Sequence, residues 1–378
     1  MEDIREKLIR DEIRDFNILS KEEQDKLSID DLAEYLCQER LYKFANGIPL
    51  IEYPKIDTYL GSKILLKGSR VFDNHFRYHI IGDERVDNNR PILYCCTHIG
   101  APDYQIIAEA IKSHAIPLAG DPETLYRTID GWFLERNGVA YCNLYNKLDR
   151  YVAKQTMIDA IRRGYNGMIF PEAFWNMSSN LLVMPIYEGC VLIAMEGDAD
   201  LVPLAIEQYG HDFYINIGAN YEINPYEINN KDYIEKVKGD IRNQMASLKL
   251  ETLKCGPNSK RCELGAYLDE EKKFQDNRFN EYLNKDKKPY FSMATVEGRR
   301  FKMTDPNTGV FYQSPEEAFG YLANIPYNEK TAFMFKEDPS VPERVGYQMY
   351  DNRKSALDEA EGFKKSTSEV KKKLLEYS

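Results

Sequence analysis

Residues 91–105 read Pro91-Ile92-Leu93-Tyr94-Cys95-Cys96-Thr97-His98-Ile99-Gly100-Ala101-Pro102-Asp103-Tyr104-Gln105. The apolar run Ile92 to Cys96 has the length of a buried strand and stops at Thr97-His98, just before a Gly-Ala-Pro break. His98 and Asp103 stand five apart, which on one continuous helix would separate them by about 140°. They meet only if the chain turns between them, and Gly100 and Pro102 permit the turn. A helix is expected from about Pro102, where a missing N–H costs nothing and an early acidic residue is favoured. The stretch therefore predicts a histidine at the exit of a buried strand, with a carboxylate close enough to hold its ring.

On both sides of this stretch, strands and helices alternate. Strands are expected at Lys63 to Lys67, Phe76 to Ile81, Ile116 to Leu118, Val139 to Leu144, Met168 to Phe170, Leu201 to Ile206 and Phe213 to Gly218. Helices are expected at 103–113, 123–135, 149–163 and 188–197. This rhythm predicts an α/β fold: a layered mixed, largely parallel sheet flanked by helices, with any ligand site beyond the strand C-termini. His75 and His79 read as structural, with nothing acidic at ligand spacing along the chain.

Residues 1–60 form an N-terminal helical segment. Ser20 with Glu23 makes a capping-box pattern, Ser28 with Asp31 opens a second helix, and Asn46-Gly47 closes it. Residues 61–228 are the expected catalytic domain. Residues 229–378 are an expected α+β appendage, with helices near 231–249 and 267–284, a basic run Lys285 to Lys288, a β segment at Pro289 to Val296 and a basic C-terminal helix.

The chain has 378 residues, enough for one large core with an appendage. A net charge of −11 argues against a nucleic-acid partner, although the basic C-terminal helix could dock on an acidic lipid surface or an acidic carrier protein. Seven cysteines without metal-ligand spacing fit a reducing cytosol and give no metal site, Cys255 and Cys262 being the nearest to one. The N-terminus does not read as a secretory signal, and no window reaches the roughly 20 apolar residues of a membrane span. The expected location is cytoplasmic, with at most peripheral contact at the inner membrane face.

Four segments fall where such a fold places a site: Thr97 to Asp103, Gly131 to Arg136 (Gly-Trp-Phe-Leu-Glu-Arg), Phe170 to Phe174 (Phe-Pro-Glu-Ala-Phe), and Leu201 to Leu204 (Leu-Val-Pro-Leu). In this order and spacing they resemble the four blocks of the glycerolipid acyltransferase family, which includes lysophosphatidate and glycerol-3-phosphate acyltransferases. The resemblance covers roughly Gly61 to Ile223. It implies transfer of a fatty acyl group from an acyl-CoA or acyl-carrier-protein thioester to a hydroxyl of a lipid-like or phosphorylated acceptor. The thioester serves as co-substrate, and no cofactor is implied. His98 would be the general base and Asp103 would orient it. Gly131, Arg136, Pro171, Glu172 and Pro203 would be substrate-binding, with Arg136 clamping a phosphate and Glu172 at the pocket edge. Backbone N–H groups at the start of the 103 helix would meet the oxyanion.

The chain departs from the family pattern at particular residues. The usual Asn before the histidine is Thr97, and the usual Ser two positions after it is Gly100. The usual Gly-Thr-Arg after the glutamate is Ala173-Phe174-Trp175, which moves any phosphate contact to Arg136 with help from Arg127 or Lys147. Other readings of the same residues are a non-catalytic lipid- or acyl-binding protein, and a thioesterase that activates water with the same pair. Arg136 could also be an ordinary last-turn helix cation, Glu172 a strand-end turn residue, and His98 a core histidine. Cys96 as a nucleophile is disfavoured by its place in the apolar run.

Overall fold

The computed structural model describes residues 4–51, 77–99, 103–120, 122–126, 129–144, 146–173, 182–183, 186–209 and 212–255. The expected strand Lys63 to Lys67, His75, Arg127, Phe174-Trp175 and everything expected beyond residue 255 lie outside them.

The apolar run is the strand β2, Ile92–Cys96, at the centre of the sheet. Around it stand β1 (Arg77–Asp83), β3 (Ala115–Gly120), β4 (Ala140–Cys142), β5 (Asn166–Ile169), β6 (Asp200–Tyr209) and β7 (Asp212–Ile217). The order across the sheet is β1-β7-β6-β2-β5-β3-β4, parallel throughout except for the β6–β7 hairpin. The expected mixed, largely parallel sheet is what forms. Leu93 and Cys95 point into one core and Tyr94 and Cys96 into the other, as the two-residue period of a strand requires. Both faces of β2 are thus covered, which is why its sequence is apolar without alternation.

On the Tyr94 face lies α4 (Asp103–Ala110), through Ile106, Ile107 and Ala110. On the Leu93 face lie α7 (Lys147–Arg162), α8 (Gly189–Gly197) and α9 (Lys231–Cys255), through Met157, Ile161, Val191, Val237 and Ile241. Each such fully buried Leu, Ile or Val contributes roughly 1.5–3 kcal/mol. The helix α9, expected at the start of the appendage, lays its buried side against β6 and β7. Its Lys249 and the Glu207 of β6 form an ion pair at 3.0 Å, both side chains buried.

The N-terminal segment folds as its caps dictate into α1 (Ile4–Glu12), α2 (Lys21–Gln24) and α3 (Ile29–Ala45). Ser20 and Glu23 bond reciprocally in a capping box, Ser28 accepts the Asp31 N–H, and Gly47 has φ +66° just beyond the Asn46 cap. The segment is bolted to α7: Arg40 forks onto the fully buried Asp149 at 2.9 and 2.7 Å, beside the shared cluster of Ile9, Leu41 and Val152.

The single helix expected at 123–135 is two, α5 (Pro122–Leu125) and α6 (Ile129–Asn137). Gly131 explains how they fit, since a Cβ there would lie 2.0 Å from the Leu125 carbonyl oxygen. At the sheet edge His79 finds its acidic partner in space rather than in sequence, bonding Asp212 at 2.8 Å, where Arg77 also forks.

Candidate active site

The parallel strands β2 and β5 end at one edge of the sheet, and the site is built from the residues that follow them. Thr97 continues the exit of β2. Its N–H bonds the Leu204 carbonyl at 3.0 Å, and its hydroxyl accepts the Ile206 N–H at 3.0 Å. The departure from the family's Asn is therefore a strand anchor, pinning the chain to β6 one residue before His98.

His98 lies with its side chain one-fifth exposed. Its Nδ1 is 3.0 Å from Asp103 Oδ2, and the same oxygen accepts the Ile99 N–H. Asp103 is wholly buried at the first position of α4. A carboxylate only accepts, so Nδ1 carries the proton and the lone pair is left on Nε2. That is the tautomer a base needs, held by a fixed carboxylate.

The loop after β5 closes the site from the other side. Ala173 N–H bonds the Phe170 carbonyl at 2.9 Å, making a turn with Pro171 at its second position, where a fixed φ near −65° is favoured. Pro171 in turn accepts the Tyr187 N–H at 2.9 Å. The turn swings Glu172 inward. Glu172, expected at a pocket edge, is wholly buried, and its Oε1 accepts the His98 N–H at 3.1 Å. Phe170 lies face to face with the imidazole, ring centroids 4.1 Å apart and planes 21° apart. Ala173 has φ +64°, the left-handed region that suits the family's glycine.

The other expected site residues stand in different surroundings. Arg136 is exposed at the end of α6, its guanidinium 3.8 Å from the centre of the Trp132 ring, which is itself 46% exposed. The next residue, Asn137, donates to the Tyr104 hydroxyl at 2.9 Å and so ties this helix end to the first turn of α4, beside Asp103. Gly131 serves the close approach to Leu125. Pro203 sits in β6 opposite Cys95, one residue past the β7 ladder, where its missing N–H breaks no ladder bond.

Just ahead of α4, the Ile99 N–H is taken by Asp103, and residues 100–102 lie outside the described ones. Cys95 and Cys96 are wholly buried, and burial pushes both thiols well above their ordinary range, which rules them out as nucleophiles. Among the described residues no group of three or more His, Cys, Asp or Glu could hold a metal. Phe170 and the Asn137–Tyr104 link were not singled out by sequence; only the presence of Phe170 in its block pointed to it.

The model of the family described as Acyltransferase matches residues 77–207, which contain His98, Asp103, Arg136, Glu172 and Pro203. An uncharacterised acyltransferase of Schizosaccharomyces pombe is 24% identical over 170 residues, 44% of this chain and 59% of that protein. The chain thus spans less than two thirds of that relative's length. The crystal structure of the 1-acyl-sn-glycerophosphate acyltransferase of Thermotoga maritima covers 65% of this chain and 97% of its own, at 14% identity and a TM-score of 0.39.

Proposed function

We propose that the acyltransferase domain formed by residues 77–207 moves a fatty acyl group from a thioester of coenzyme A or acyl-carrier protein to a hydroxyl of a lipid-like or phosphorylated acceptor. The observation that carries this reading is the contact between His98 Nδ1 and the buried Asp103, with the imidazole still open to solvent. As the acceptor oxygen attacks the thioester carbonyl, its proton passes to His98 Nε2, and Asp103 stabilises the imidazolium. Collapse of the tetrahedral intermediate breaks the C–S bond, and the leaving thiolate takes the proton back. An ester and a free thiol result, with no covalent acyl-enzyme.

Arg136 is the anion clamp in this reading. Its guanidinium lies 3.8 Å from the centre of the exposed Trp132 ring and supplies a planar fork of donors for a phosphate. Lys147, at the start of α7, is a second cation for the same charge. Among the described residues no helix is long and apolar enough to cross a membrane. The protein meets its lipid at a membrane surface, from the cytoplasmic side.

The test incubates the full chain with a long-chain acyl thioester and a panel of hydroxyl acceptors, following thiol release and acylated product together. Stoichiometric release of thiol and formation of ester, both lost in His98→Ala, is the expected result. Thiol release matched by free fatty acid would make the protein a thioesterase. Full turnover in His98→Ala would end the assignment of the base.

A further inference from the structure

The bond to Asp103 fixes one atom of the His98 ring. A face contact fixes a plane. We propose that Phe170 is a positioning residue for the base: its ring holds one face of the His98 imidazole, aims Nε2, and presents a π-face to the charge the imidazole acquires during transfer. The proposal rests on His98 being the base.

Three features of the structure support it. The rings are nearly parallel and in contact, at 4.1 Å and 21°. Phe170 packs against the buried cluster that contains Met168. The turn that carries Phe170 is joined to His98 itself, because Glu172, two residues on, accepts the His98 N–H. Ring, turn and base therefore move as one unit. Among the described residues Asp103 from α4 and Glu172 from the turn bring charge to His98. Beyond Thr97, Lys249 of α9 bonds the Ile206 carbonyl and pairs with Glu207 of β6. Phe170 braces the face of the imidazole without adding charge.

The experiment is NMR of the histidine ring protons, with His98 assigned by its absence in His98→Ala, combined with steady-state kinetics. In the native protein the His98 ring protons should be shifted upfield by the stacked phenyl; unshifted protons would overturn the proposal without any Phe170 variant. Phe170→Leu, and Phe170→Met as a second variant of similar bulk, should lose that shift, while the ring protons of His79 and His114 stay in place. The same variants should lower kcat about 10- to 100-fold, with both KM values unchanged, and Phe170→Tyr should restore the native values. A native kcat in these variants, with or without a raised acceptor KM, would make Phe170 only a wall of the pocket. Because the ring shift needs no turnover, failure of this inference is distinguishable from failure of the base assignment, which His98→Ala tests alone.

Discussion

Thr97 and Ile206 bond each other twice across the sheet: the threonine hydroxyl accepts the isoleucine N–H at 3.0 Å and donates to its carbonyl at 3.4 Å. Lys249 also reaches that carbonyl, so Thr97→Val leaves the buried Ile206 N–H without its partner while the carbonyl keeps one. The loss should be about 1–3 kcal/mol, read as a lower urea midpoint with an unchanged m value. Thr97→Ser should recover most of it.

Asp103→Asn keeps the shape of the buried side chain but lets the amide donate, which stabilises the wrong tautomer of His98. Activity should fall about 10²- to 10⁴-fold, with the circular dichroism spectrum and urea midpoint close to native. Undiminished turnover would show that the contact with Asp103 is not what prepares the base.

Ala173 sits at φ +64°, a conformation that strains any side chain carrying a Cβ. Ala173→Gly removes that strain at some cost in unfolded-chain entropy. The net gain should be about 0.5–1 kcal/mol, visible as a higher melting temperature.

Arg40→Met removes the fork from Asp149 and leaves a buried carboxylate without its cation. The cost should be about 3–5 kcal/mol, and limited proteolysis should release the N-terminal segment first. A protease pattern like that of the native protein would mean that the apolar cluster of Ile9, Leu41 and Val152 holds the segment by itself.

Burial pushes the Cys37 thiol up to about 12, whereas in an unfolded chain a thiol ionises near 8.5. Between these values the unfolded state releases a proton that the folded state keeps, so the stability is fully present below pH ~8.5 and declines as pH rises towards 12. The slope is up to about 1.4 kcal/mol per pH unit for one such thiol. Urea midpoints measured from pH 8 to 10 should fall, and less steeply in Cys37→Ala.

What the sequence made legible was local. The run Ile92 to Cys96 names its own strand, Ser20 and Ser28 name their helix starts, and the four ordered blocks point to acyl transfer. Long-range pairing is what it hid. Glu172 meets the His98 backbone across 74 residues and Arg40 meets Asp149 across 109, and neither partner carries a signal of the other. The packing of α9 is hidden for a related reason: charged residues dominate that helix, while its buried stripe of Val237, Ile241 and Met245 becomes evident only against β6 and β7. The close approach of α6 to α5 turns on the missing Cβ of Gly131, which a helical pattern does not record.

Five of the chain's seven cysteines, at positions 37, 95, 96, 142 and 190, are buried. A chromogenic disulfide reagent added to the native protein will find at most two thiols per chain, and the remainder only when the chain unfolds. In the proposed reaction, thiol released from an acyl donor can therefore be counted continuously against a low background. The same reagent, in denaturant, reports how much of the preparation was folded.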